Sequence, residues 1–439
     1  MSIDFEKYQN ILNSTHLTKD SGKVTEVTGL IIKGYIPGVS VGSICEIKTT
    51  AVDKPILAEV VGFKDRHVLM MSLAGMRGIA MGSKITLSKS IATVRVSEEL
   101  LGRVVDGLGR PMDEGPELEI STEIMMYGDI VNPLKRVPIR EILDVGVRAI
   151  NAAITTGRGQ RVAILAGSGV GKSVLMGMMA TQTEADINVI ALIGERGREV
   201  REFIENELGP EGMKKTVVVC VTSDQSPLLR MRGAFVATAI AEYFAHQGKK
   251  VLLVMDSVTR FAMAMREIGL SIGEPPSTKG YTPSVFSTLP KLLERAGNFE
   301  GSGSITGFYT TLVESDDMND PIGDAVRSIV DGHIVLTRSM AHKGHYPAID
   351  ILQSASRVMK AVASPEHVRM AQKLREIIAT YSEAEDLINV GAYKNGANPK
   401  IDKAIKLIDQ INEFLKQKTD DHSNMNQCLR NLSQILAGA

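Results

Sequence analysis

The sequence predicts an α/β protein: a doubly wound, mainly parallel sheet, with a small β-barrel before it and a helical domain after it. Three observations lead there. The apolar runs RVAILA, INVIALIG, TVVVCVTS, KVLLVMD, SITGFYTTL and HIVLTR alternate with helical stretches, and uninterrupted apolar runs suit parallel strands buried on both faces. Ahead of them, between Lys23 and Ser97, short β-rich runs (VTEVTGLIIKGYI, SICEIKTT, ILAEVVGFKDRHVLMMSL, SKITLS, ATVRV) are broken by Gly, Pro, Lys and Asp, the spacing of a small barrel. Behind them, Ser364-Pro365 offers an N-cap and a first-turn proline, and the remainder reads as helices, among them the amphipathic stretch Ile401–Leu415.

In chain order, Phe5, Tyr8 and Leu12 recur at helical spacing among polar residues. Residues 1–22 are therefore expected to form an arm, either frayed or docked on a partner. The barrel is assigned to 23–97. Gly102–Pro116, GRVVDGLGRPMDEGP, is dense in Gly and Pro and reads as a linker or long loop. The sheet domain then occupies 98–360 and the helical domain 361–439.

Composition narrows the function. With 44% hydrophobic and 23% charged residues, the chain is an ordinary globular one. Its 50 Lys+Arg against 51 Asp+Glu leave a net charge of -1, which removes a bulk electrostatic case for nucleic acid or a polybasic membrane surface. Cys45, Cys220 and Cys428 lie far apart without zinc spacing, and their odd number argues against a disulfide framework, as expected in a reducing cytosol. Asp4 and Glu6 stand where a signal peptide needs positive charge, and no apolar run approaches the ~20 residues of a membrane span. The expectation is a protein neither secreted nor integral to a membrane. His342 and His345 form an HxxH with no third ligand at zinc spacing, and read as a loop pair.

The chemistry begins at Ala166-Gly167-Ser168-Gly169-Val170-Gly171-Lys172-Ser173, set between an apolar strand and a helical run. This is the context a phosphate-binding loop requires, although its first position is Ala where the strict pattern has Gly. The glycines let backbone N–H groups turn onto phosphates, Lys172 reaches the β/γ oxygens, and Ser173 offers a hydroxyl to Mg²⁺ at the positive helix end. Val174 closes the candidate phosphate-binding stretch. KKVLLVMD ends a strand on Asp256, where a metal-holding carboxylate belongs. In ALIGERGREVREF, Glu195, Arg196, Arg198 and Glu199 leave a strand at the carboxyl edge of the sheet. A carboxylate there orients and deprotonates water; the plainer reading is a solvated, charged helix start.

The ordered motifs GRVVDGLGRPMD, NPLKR, LDVGVRAINAAITTGRGQR, AGSGVGKS, GERGREV, VMDSVTRFAMAMREIG, EPPSTKGYTPSVFSTLPKLLERAG, ESDDMNDPI and HYPAIDILQSASRVM resemble the type III secretion ATPases, relatives of the catalytic subunit of rotary ATP synthases. AGSGVGKSVLMGMM is more similar to the flagellar export branch than to the virulence-injectisome branch, whose loop tends to read AAGGGKS. The resemblance implies a RecA-like P-loop ATPase core that hydrolyses ATP with Mg²⁺. It implies that Lys172 and Ser173 take the triphosphate and Mg²⁺, that Glu195 is the base, and that Asp256 is the Walker B carboxylate with Glu199 supporting the metal's water shell. Arg196 and Arg260 match phosphate-sensing arginines. Arg357 in SASRVM matches an arginine finger that reaches into a neighbouring subunit, and Tyr346 in HYPAID matches the aromatic packed on adenine.

The resemblance also implies a homohexameric ring in the cytoplasm, peripheral to the inner membrane at the flagellar base. Implied partners are a dimeric regulatory stalk protein bound through the arm, a coiled-coil central stalk protein, chaperones with export substrates at the C-terminal helices, and the export gate. Ser271–Pro283, SIGEPPSTKGYTP, would face the pore. Competing readings are an injectisome ATPase and the catalytic subunit of a rotary synthase; EPPSTKGYTP and ESDDMNDPI favour secretion. Glu195 opposes a non-catalytic nucleotide-binding subunit. A ring-shaped nucleic-acid translocase needs stacking aromatics, yet between Lys23 and Ser97 only Tyr35 and Phe63 occur, and the chain has no Trp.

Overall fold

The computed structural model describes residues 20–49, 54–120, 122–128, 132–301, 303–313 and 320–438. Most of the expected arm, residues 1–19, and the first six residues of ESDDMNDPI, 314–319, lie outside the described residues. Six strands, β1 (Ser21–Thr28), β2 (Ile31–Tyr35), β3 (Ile44–Ile47), β4 (Ile56–Lys64), β5 (His67–Ser72) and β6 (Lys84–Lys89), form a barrel in the order β1-β2-β5-β4-β3-β6. It closes by antiparallel pairing of β1 with β6. Pleat alternation turns Val24, Ile32, Ile47, Val60, Met70 and Ile85 inward, each burial stabilising by about 1.5–3 kcal/mol.

After the barrel come β7 (Thr93–Val96), β8 (Val104–Val105) and β9 (Thr122–Met125); β7 and β9 make a two-stranded ribbon. The large sheet is built from β10 (Arg161–Ala166), β11 (Ile187–Glu195), β12 (Thr216–Thr222), β13 (Lys250–Asp256), β14 (Gly297–Asn298), β15 (Ser304–Leu312), β16 (Gly332–Leu336) and β17 (Ile349–Ser356). Its order is β17-β16-β10-β15-β13-β11-β12-β8, with β14 on β15. Every pairing is parallel except β17 on β16 and β14 on β15. This is the doubly wound, mainly parallel sheet that the apolar runs predict.

Four strands, β8, β9, β14 and β17, are absent from the sequence reading, and β8 and β17 form the two edges of the large sheet. Gly102–Pro116 is more than a linker: Val104 and Val105 pair with Val218 and Val219 as edge strand β8. Asp113 then folds back on it, accepting from the Val104 N–H at 2.7 Å and from Arg103 Nε at 2.8 Å. Two apolar residues between turn signals are too short to show a period. β17 alternates buried and exposed positions at the opposite edge. There Arg375 covers it by donating to the carbonyls of Ile351 and Ser354.

The helices that matter for the site are α1 (Arg148–Ala153), α2 (Lys172–Gln182), α3 (Gly197–Glu202), α4 (Val258–Ser271), α5 (Pro365–Asn389), α6 (Pro399–Leu415) and α7 (Met425–Ala437). Ser364 caps α5, accepting from the His367 N–H at 3.2 Å, with Pro365 in the first turn. Leu374, Leu407, Ile411 and Leu432 of the terminal helices share one core with Ile150 of α1 and Ile164, Ile190 and Phe308 of the sheet. The described residues up to Thr93, with Ser226–Leu228 and Glu267–Pro275, form one compact unit; the rest of the chain forms the other. The cysteines are free and buried. Among the described residues, no helix is long and apolar enough to cross a membrane.

Candidate active site at the carboxyl edge of the sheet

β10 ends at Ala166, the chain turns through Gly167–Gly171, and α2 begins at Lys172. Gly169 (φ +79°) and Gly171 (φ +87°) occupy the left-handed region that lets the loop curl. Ala166 departs from the strict pattern without strain, because it is a strand residue paired with Leu312 and Leu336 and not part of the turn. Ser168, Gly169 and the Ser173 hydroxyl are exposed at the start of α2, which is where N–H groups and helix dipole favour an anion.

Sheet register delivers the carboxylates. β11 and β13 are neighbours with Leu192 opposite Asp256, so both strands release their last acidic residue at the same edge. Asp256, 3% exposed, forms an ion pair with Lys172 and accepts from Thr310 Oγ1 at 2.7 Å. Lys172 Nζ also lies 3.8 Å from Glu195 Oε1. Burial works against the Lys172 charge, but Asp256 and Glu195 more than offset it and raise its pKa. Glu195 is pushed up to about 7, first by burial and then by the Asp256 charge, against the pull of Lys172. Glu199 pushes in the same direction. In the base role the sequence suggests, Glu195 must be deprotonated to act, so activity is expected to rise with pH through about 7 and flatten above it. A pH profile of initial rates checks this; a flat profile from pH 6 to 8 would remove Glu195 as the titrating base.

Gly194 brings a further cation in. It sits at a bulge in β11 with φ +72°, and a Cβ there would stand 2.9 Å from Arg260 Cβ. Only glycine lets the Arg260 stem, on α4, cross the end of β11 beside Glu195, and the Arg260 charge is felt at Lys172.

The other sequence candidates are placed as follows. Arg196 is 77% exposed and paired with Glu199 at 3.2 Å, and Arg198 is paired with Glu202 at 3.2 Å, so the charged-face reading describes these two arginines. Tyr346, 47% exposed, stands beside the phosphate loop: a Cβ on Gly171 would meet its ring at 3.5 Å. Between them opens a cavity of 1230 Å³ lined by Gly169, Gly171, Val174, Tyr346 and the 416–421 loop. Arg357 is not brought to the loop. β17 is antiparallel, with Ser356 opposite Gly332 while Ile349 faces Leu336 beside Ala166, so Arg357, level with Asp331, lies about 16 Å of strand away at roughly 3.3 Å per residue. It is exposed there, donating to the Arg327 carbonyl at 3.2 Å. Thr310 was missed by sequence reasoning; its signal is a polar Thr310-Thr311 pair ending an otherwise buried strand.

Comparison with known proteins gives a consistent pattern. Residues 24–88 match the ATP synthase alpha/beta family, beta-barrel domain, and residues 146–356 match the nucleotide-binding domain of that family. Residues 363–434 match the T3SS EscN ATPase C-terminal domain. The flagellum-specific ATP synthase of Bacillus subtilis is 50% identical over 433 residues, 98% of this chain and 99% of that protein. The assembled ATPase EscN of the enteropathogenic E. coli type III secretion system superposes with a TM-score of 0.89 at 47% identity, covering 94% of this chain and 100% of that one. EscN in complex with its central stalk EscO gives 0.88 at 46% identity over the same shares.

Proposed function

Because this chain belongs to the ATP synthase alpha/beta family, on its type III secretion branch, we propose that it hydrolyses Mg²⁺-bound ATP at interfaces between its own copies and so energises flagellar protein export. ATPase activity follows from the family; the residue roles, the metal and the assembly are our reading. The observation that best supports it is the meeting of Lys172, Glu195 and Asp256 at the end of the phosphate loop.

The loop amides and Lys172 bind the triphosphate, and Tyr346 with Val174 receives the base. Glu195, poised near neutrality, takes the proton of a water aligned with the γ-phosphorus. Arg260, whose stem crosses beside Glu195, supplies charge for the phosphates. The Ser173 hydroxyl and the Asp256 and Glu199 carboxylates are oxygen donors of the kind a hard cation takes, and Thr310 holds the Asp256 carboxylate in place. Mg²⁺, when bound there, neutralises charge on the phosphates. Arg357 completes the site of the next copy, consistent with its distance from its own loop.

We extend this to a homohexamer with a coiled-coil stalk at its centre, as EscN binds EscO, and to chaperone-borne substrates met by the helical domain, which we delimit at 361–439. The arm would take the regulatory stalk protein and the export gate would receive the cargo, at the cytoplasmic face of the inner membrane. Activity per chain is expected to rise steeply with protein concentration and to vanish when EDTA removes divalent cations. Strict proportionality of rate to concentration would overturn the shared site; undiminished activity in EDTA would overturn the metal.

A further inference from the structure

The cavity beside Tyr346 has one wall that no motif announces, the loop joining α6 to α7, and that wall is stapled by a single buried amide. Gln417 is 5% exposed. Its main-chain N–H donates to the Tyr346 carbonyl at 2.9 Å. Its Oε1 accepts from the Arg148 N–H at 2.8 Å, and its Nε2 donates to the carbonyls of Gly146 at 2.8 Å and Asp421 at 2.7 Å. Arg148 grips the same loop, donating to the Phe414 carbonyl at 2.7 Å, to the Lys416 carbonyl, and to Asp421 Oδ2 at 2.5 Å. From the other side Gln182, the last residue of the helix that begins at Lys172, donates to the Thr419 carbonyl at 3.0 Å.

The consequence is geometric. Tyr346, the 416–421 wall, the start of α1 and the C-terminal end of the phosphate-loop helix belong to one hydrogen-bonded frame, and Gln417 is the member that touches Tyr346, α1 and the wall at once. Both Nε2 donors and an Oε1 acceptor site are already used within the protein. Gln417 has no donor left for a ligand and is 5% exposed, so it acts through the residues it holds.

Resting on the ATP reading above, we propose that Gln417 is the positioning residue of the nucleotide-base site, fixing the Tyr346 main chain and the 416–421 wall in register with the phosphate loop. The terminal helices α6 and α7, which the loop connects, thereby take part in binding the base. Removing the amide leaves the Arg148 N–H and Gly146 carbonyl without their partner and lets the wall shift from the stacking position, while the phosphate subsite, built from β10 and α2, stays intact.

The test measures ATP hydrolysis and competitive inhibition by tripolyphosphate, which carries the phosphates without a base, in Gln417→Leu, Gln417→Glu and Tyr346→Ala. Gln417→Leu is expected to raise KM for ATP about tenfold, the scale of one buried partner lost. Its Ki for tripolyphosphate should be unchanged and its kcat reduced less than the KM effect. Gln417→Glu keeps the acceptor for Arg148 and loses the two donors, so it should fall between Leu and wild type; it also serves if the Leu variant fails to fold. An unchanged KM in both Gln417 variants, or KM and Ki rising together, would overturn the positioning role. Tyr346→Ala separates the two ideas: unchanged KM there removes the base site itself, whereas raised KM there with normal Gln417 variants removes only Gln417.

Discussion

Glu195→Gln is expected to lower kcat by about 10²–10⁴-fold, the usual contribution of a positioned general base, while ATP binding is retained. The substitution keeps shape and a hydrogen-bonding oxygen but removes the group that takes the proton of the attacking water. It also removes one of the two carboxylates that share Lys172, so the ammonium is more fully available to phosphate. A fluorescent ATP analogue should therefore bind the variant at least as tightly as wild type, and a rapid-quench experiment should show no burst of phosphate. Wild-type turnover in this variant would show that the water is activated by another group.

Arg357→Ala is expected to reduce turnover by about 10³-fold or more, the scale of an arginine finger, and to do so without disturbing the site of the chain that carries it. The arginine leaves β17 at the end of the sheet opposite to the phosphate loop, so a contribution to its own site is excluded by strand length. Mixing decides the matter. An equimolar mixture of Glu195→Gln and Arg357→Ala should recover part of the activity, because some interfaces then pair an intact Glu195 with an intact Arg357. Two dead proteins that stay dead on mixing would place both residues in one self-contained site.

What the sequence revealed, and what it hid, follows from how local each feature is. Gly167–Ser173 is contiguous because a loop wrapping a phosphate must be, and strand and helix flank it directly. Glu195 and Asp256 were readable as acidic residues ending apolar runs; their meeting at Lys172 depends on β11 lying beside β13, which spacing does not give. The barrel showed in its turn residues. β8 is too short to have a period, and β17 alternates polarity as an edge strand does, so neither stood out among the buried runs. Arg148 and Gln417 carry no local signature at all, and Thr310 shows only as part of a polar pair near a strand end. Each matters only through partners far away in the chain, such as Asp256 for Thr310 and Tyr346 for Gln417. Glycine at 194 was visible in GER's approach, but its reason, the stem of Arg260 crossing above it, is tertiary.

The way the strands end has a consequence for how copies of this chain meet. The barrel offers no free row of amide groups, β8 exposes only two residues of edge, and the outer carbonyls of β17 are already engaged by Arg375. The β7–β9 ribbon leaves open edges only four residues long, so backbone templating, the route by which sheets grow from one molecule into the next, finds little to start from among the described residues. In the ring proposed above, copies would therefore recognise one another chiefly through side chains, not through shared backbone hydrogen bonds.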